Sequence, residues 1–206
     1  NYVVALTTNG VIMYWGNVPV YDYPLYKPET PPLDHLSDQS KIIKIAASES
    51  FFVALTADEQ RVIFMGKNNT NVIDDPVTVF DYSKDGDQAK ILKIVAGSDF
   101  VLAWTRHAGI VGYGINKYDI LGTGTFAYEL GMPIAVCYST TSSDPFTVEQ
   151  QQLQVKSLGI RAALLESGHV LFLGSGKTSD VKLLKLPSYM GPILHVSCTL
   201  FECILL

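Results

Sequence analysis

One strand pair returns four times along this chain in nearly constant phase. Its clearest copies are KIIKIAASESFFVALT (Lys41–Thr56) and KILKIVAGSDFVLAWT (Lys90–Thr105). Aligned on the Ala that precedes a Leu or Trp, the copies fall at Ala5, Ala54, Ala103 and Ala163, so neighbours lie 49, 49 and 60 residues apart. Repetition at this period means that each unit buries its apolar faces only against the next copy, as propellers and solenoids do.

The second copy shows the plan. Phe51–Thr56 is a short run of strand formers, Ala57–Gln60 a polar turn, and Val62–Met65 a second strand closed by Gly66. That is an antiparallel hairpin. Thr8-Asn9-Gly10, Arg106–Gly109 and Glu166-Ser167-Gly168 supply the other turns, and Gly16, Gly114 and Gly174 close the other hairpins. A Gly at a fixed strand end implies close backbone approach or a positive φ. Weaker strands are expected around Leu33, Val77–Phe80, Ile134–Tyr138 and Leu183–Leu186. Strong ones follow at Ile42–Ala47, Ile91–Ala96, Leu153–Leu158 and Ile193–Cys198. Strict alternation in Ile42–Ala47 would put Ile43, Ile45 and Ala47 on one face and Ile42 and Ala46 on the other. A strand apolar on both faces lies between two packed sheets. The units fall at about residues 1–50, 51–99, 100–160 and 161–200, with 201–206 opening a further one, and Ser139–Gln152 is an insertion.

Composition removes several classes. With 48% hydrophobic and 17% charged residues the chain is globular, and no apolar run reaches the roughly 18–20 residues that span a bilayer. A net charge of −5 without a Lys/Arg stripe disfavours direct nucleic-acid binding. Cys137, Cys198 and Cys203 are too few and too odd in number for a disulfide framework, which points to an intracellular compartment, cytoplasmic or nuclear. The Asn68-Asn69-Thr70 sequon acts only in a secreted chain.

Val95-Ala96-Gly97 leads through Ala103-Trp104-Thr105 and Tyr113-Gly114 to GINKYDILGTG, which contains Asn116 and Leu121-Gly122-Thr123-Gly124. This order resembles the RCC1-like repeat, named after the regulator of chromosome condensation. Two features depart from the family. Its usual His, three residues before the anchor Ala, is replaced by Tyr2, Phe51, Phe100 and Ile160. The Gly-rich loop has become GNVPVYD after Gly16 and GKNNTNVID after Gly66. Neither the Gly-His and Trp-Asp pairs of WD repeats nor kelch's paired glycines occur. The resemblance implies an all-β propeller of four-stranded blades, about four of them here. It also implies a seven-bladed ring, to which a chain starting and stopping at one phase of the unit would contribute a part; a compact four-bladed closure is the alternative.

Several motifs mimic known chemistry. Gly174-Ser175-Gly176-Lys177-Thr178 lacks the first Gly of a phosphate loop, whose place holds Leu171. Asp81–Asp87 opens like a calcium loop, but Leu92 stands where the closing acid belongs. His195 with Cys198 and Cys203 is a poor zinc set. No Ser, His and acid, and no pair of acids, shares a repeat position that would unite them. The expectation is a non-enzymatic protein-interaction scaffold without cofactor or metal. Its partner-binding residues are expected to be Tyr21, Tyr23 and Tyr26 in one irregular loop and Asp144, Pro145 and Phe146 in the insertion, because aromatic residues on loops favour protein contacts. The resemblance adds an alternative, a guanine-nucleotide exchange factor for a small GTPase.

Overall fold

The computed structural model describes residues 1–33, 41–68, 71–86, 89–106, 108–116, 121, 129–135, 155–173, 182–184, 191–198 and 203–206. Among them there is no helix, and hence none long and apolar enough to cross a membrane. The strands form antiparallel meanders. The first sheet holds β1 (Tyr2–Leu6), β2 (Ile12–Gly16) and β3 (Leu25–Glu29). The second holds β4 (Ile42–Ala47), β5 (Phe51–Thr56), β6 (Arg61–Asn68) and β7 (Asn71–Asp81). The third holds β8 (Ile91–Ala96), β9 (Phe100–Thr105), β10 (Gly109–Ile115) and β11 (Glu129–Ala135). The fourth holds β12 (Val155–Leu158), β13 (Ala162–Leu165), β14 (Val170–Phe172) and β15 (Lys182–Leu184), and β16 (Val196–Cys198) pairs with β17 (Cys203–Leu205).

In the sequence the strong strand closes each unit, but in space it opens the next sheet: Ile45 of β4 pairs with Ala54 of β5, and Ile94 of β8 with Ala103 of β9. The weak strand expected near Leu33 lies earlier, at β3. Leu25 is buried there, while Leu33 packs against the same cluster outside any strand, following Pro31 and Pro32, which have no N–H for a ladder. Pro28 and Pro76 fall within β3 and β7, and Pro133 within β11. Each is an outermost strand, where a missing N–H blunts the open edge.

Four hydrophobic clusters fill the spaces between consecutive sheets. Tyr14, Phe52, Ala54 and Met65 join the first sheet to the second. Phe51, Phe64, Ala103 and Tyr113 join the second to the third. Leu102, Val155 and Ala163 join the third to the fourth, and Leu164, Val170 and Val196 reach the fifth. Ala54, Ala103 and Ala163 are fully buried at equivalent places, each turned toward the preceding sheet. Their small size lets the sheets close, and the larger residues on either side fill the opposite space. Burying one Leu or Phe this way contributes about 1.5–3 kcal/mol. These series of face-to-face sheets are the blades of a propeller.

The strict alternation expected in Ile42–Ala47 is broken. The pairing slips between Ile42 and Lys44, between Ile91 and Lys93, and between Val155 and Ser157. A β-bulge at one place in three strands resets the phase. Ile42 and Ile45 therefore share a cluster, as do Ile91 and Ile94, and Val155 and Leu158, while Ile43 is exposed. A bulge also leaves an extra carbonyl outside its own ladder. Lys44 Nζ donates to the carbonyl of Leu92 at 2.8 Å, and Lys93 Nζ donates to that of Lys156. Each lysine thus satisfies the bulge of the following sheet. Ser157 occupies the same position in β12 and contacts His195 Nδ1 at 2.9 Å.

The family-like stretch has a structural use. The buried Asn116 side chain accepts the amide of Leu121 at 3.0 Å, and Leu121 is buried close to Gly112. The Asp81 turn is likewise self-contained, since its carboxylate accepts the amide and hydroxyl of Ser83 at 3.0 and 2.6 Å. These bonds hold the Asp81 carboxyl below its ordinary pKa.

Candidate protein-interaction surface

The tyrosine-rich loop follows β2 and turns back through the bond from the Tyr21 amide to the Val18 carbonyl, 3.0 Å. Val18 plugs it into the core below. Tyr14 is buried against Phe52, with ring centroids 6.0 Å apart, and stacks on Tyr21 at 6.3 Å. The two hydroxyls meet at 3.0 Å. Burial first, and then the contact with Tyr21, pushes the Tyr14 phenol above its ordinary pKa. Tyr21 in turn supports Tyr23 at 5.8 Å. The chain of rings runs outward from the core, ending at Tyr23, 62% exposed. Tyr26, on the outer strand β3, is 91% exposed. The structure thus sorts the three predicted tyrosines: Tyr21 is a half-buried support, and Tyr23 and Tyr26 are the rings available to a partner. Exposed rings of this kind offer apolar contact and hydroxyl hydrogen bonds.

Asp144, Pro145 and Phe146 lie outside the described residues. The strands that bracket them end at Ala135, opposite Val111, and begin at Val155, opposite Leu165. Both positions lie beside the second-to-third strand turns. The Ile42 and Ile91 amides meet the carbonyls of Gly10 and Glu59 at that same end. The tyrosine loop leaves from the other end, where Asn17 bonds to Asn1 and Lys67 to Ser50. The strands that bracket the insertion thus point to one end of the sheets and the tyrosine loop leaves from the other.

Two of the sparse cysteines do form one local bridge, which the sequence reading did not anticipate. Cys198 and Cys203 form a disulfide, S–S 2.17 Å. They face each other in the β16–β17 register with Cα atoms 4.1 Å apart, so strand pairing alone unites the sulfurs. The bond spans a separation of five residues and ties no distant parts together. Among the described residues no group of three His, Cys, Asp or Glu side chains is placed to hold a metal ion. The Gly174–Thr178 motif lies outside the described residues.

One group of residues escaped the sequence reading. Lys44, Lys93 and Lys156 stand in a row along the first strands of successive sheets. The signal was present in the duplicated KIIKI and KILKI, where a Lys interrupts an apolar strand at the same point twice.

No known protein-family profile matches the chain. No curated protein matches it in sequence. Solved structures do match. Human WBSCR16 superposes with a TM-score of 0.70 at 16% identity, over 97% of this chain and 55% of that one. Yeast RCC1 (Prp20), in its complex with Kap60, gives 0.68 at 14% identity, over 97% and 50%. The chain spans about half the length of these structures. At such low identity the likeness speaks for the fold alone. Joined to the repeat in the sequence and the serial sheets in space, it establishes the fold of this chain as an RCC1-like β-propeller.

Proposed function

We propose that the chain is a non-enzymatic interaction scaffold that presents rim loops to partner proteins within a larger protein or complex inside the cell. The observation that carries this reading is the outward run of rings from Tyr14 through Tyr21 to Tyr23, beside the exposed Tyr26. Rings already held by their neighbours lose little freedom on binding, and tyrosines anchor protein interfaces for that reason. The yeast neighbour, RCC1 (Prp20), was solved bound to a protein, Kap60. The inserted segment with Asp144, Pro145 and Phe146 is the second contact in this reading. Units at 1–50, 51–99, 100–160 and 161–200, continued around a seven-bladed ring, fit this reading. Direct nucleic-acid binding does not fit a net charge of −5.

The test is cross-linking and affinity capture with the wild type and the Tyr23→Ser/Tyr26→Ser pair. The wild type is expected to retain a specific protein, and the variant to bind it about 30-fold more weakly, the effect of losing one interface anchor. A wild type that retains nothing, or a variant equal to it, defeats the proposal. The exchange-factor alternative rests on the resemblance of Val95–Gly124 to the RCC1-like repeat. It predicts accelerated release of labelled GDP from a small GTPase, and unchanged release across a panel of GTPases eliminates it.

A further inference from the structure

Three ammonium groups line the first strands of consecutive sheets. Lys44 Nζ reaches the carbonyl of Leu92 at 2.8 Å, Lys93 Nζ that of Lys156, and Lys156 Nζ that of Ile193 at 3.2 Å. Each bond crosses from one sheet to the next, so the charges follow one another along the inner edges of the stack. One carbonyl occupies one of an ammonium's three donors and leaves two for another acceptor, and Lys93 Nζ also sits over the Trp104 ring, 5.8 Å from its centre.

Among the described residues no carboxylate forms an ion pair with the row. Acidic residues outnumber basic ones by 20 to 15 in the whole chain. Yet the ion pairs among the described residues are Arg61–Asp58 and Lys90–Glu59, and none involves the row. Glu166 acts on Lys93 only from a distance. Burial chiefly, and the repulsion of Lys44, hold the Lys93 amine below its ordinary pKa despite that carboxylate. Like charges gathered without a neutralising partner attract an anion.

We infer that Lys44, Lys93 and Lys156 form a binding site for a small phosphorylated polyanion. The row contains ammonium groups and no guanidinium. Ammonium groups bind phosphate oxygens as point charges, each with rotatable donors that follow the oxygens. The charges sit on three separate strands, so a ligand engaging more than one needs several phosphate groups. The site is independent of the tyrosine surface.

Inorganic tripolyphosphate is the probe, measured by titration calorimetry on the full chain. Binding is expected to weaken about tenfold for each of Lys44→Gln, Lys93→Gln and Lys156→Gln, the loss of one charge-assisted hydrogen bond. Lys27→Gln and Lys67→Gln, on exposed lysines elsewhere, are expected to leave it unchanged. Lys→Arg variants in the row keep the charge and separate loss of binding from loss of folding: they are expected to retain most of the affinity. The inference falls if folded wild type does not bind tripolyphosphate. It falls equally if the two control variants weaken binding as much as the row variants, or if a polyglutamate peptide of equal charge displaces the probe as well as unlabelled tripolyphosphate does. Tyr23→Ser/Tyr26→Ser is expected to bind the probe normally, whatever the fate of the protein-scaffold reading.

Discussion

Phe64→Ala is expected to lower the free energy of unfolding by about 3–5 kcal/mol, the range for deleting a buried aromatic ring. Phe64 is buried on β6, stacks on Phe51 at 4.8 Å between centroids, and meets the edge of Tyr113 on β10 at 6.2 Å. The ring thus bridges two sheets that share no hydrogen-bonded strand pair. Its removal opens a cavity whose walls belong to separate sheets, each held by its own ladders and slow to collapse inward. For a chain of this size the loss corresponds to a fall in Tm of roughly 6–20 °C. Urea denaturation followed by tryptophan fluorescence checks the value. Tyr26→Ala is the control: its ring stands free in solvent, and the expected change stays within about 0.5 kcal/mol. A loss below about 1 kcal/mol for Phe64→Ala would show that the second and third sheets are not packed as described.

The second large effect belongs to Gly66→Ala, expected to cost about 2–4 kcal/mol. Gly66 has φ +138°, and an added Cβ would lie 2.4 Å from Phe51 Cα and 2.5 Å from the Ser50 carbonyl oxygen. Both obstacles are backbone, so no side chain can rotate away. Relief requires parting β6 from the start of β5, which also strains the 2.7 Å bond from the Lys67 amide to Ser50. Gly86→Ala isolates the conformational part of the cost. Its φ is +74°, but nothing lies within 4 Å of the added atom, so about 1 kcal/mol is expected. Thermal denaturation of the two variants side by side separates strain from collision. Equal losses would mean that close approach contributes nothing at Gly66.

Gly16 and Gly114 share this arrangement. Their φ angles are +94° and +109°, and their virtual Cβ atoms meet backbone at Asn1 and Asp99. That regularity was legible in the sequence, because backbone collision depends on position in the unit and so recurs with it. The hairpins were legible for the same reason, since period-two patterns and turn residues are local. The phase of the inner strands was not. Strict alternation puts Ile42 and Ile45 on opposite faces, yet they share one cluster. The recurring pair three apart (Ile42 and Ile45, Ile91 and Ile94, Val155 and Leu158) is the trace a bulge leaves, and it is ambiguous until the partner strand is known. The candidate surface was half legible. Tyr21, Tyr23 and Tyr26 look alike in sequence, and only their stacking order separates the support from the exposed rings.

The amino-acid sequence by itself determined the unit: which runs are strands, where the turns and glycines fall, and that each copy needs a neighbour to cover its apolar faces. Those properties follow from local sterics and side-chain periodicity, which need no knowledge of distant contacts. The tertiary structure alone decided which strand joins which sheet, which tyrosines face solvent and that Cys198 meets Cys203. It also brought three lysines from separate units into one row. Each depends on hydrogen-bond register and on the packing of sheets far apart in the chain, where a shift of one residue changes which groups meet.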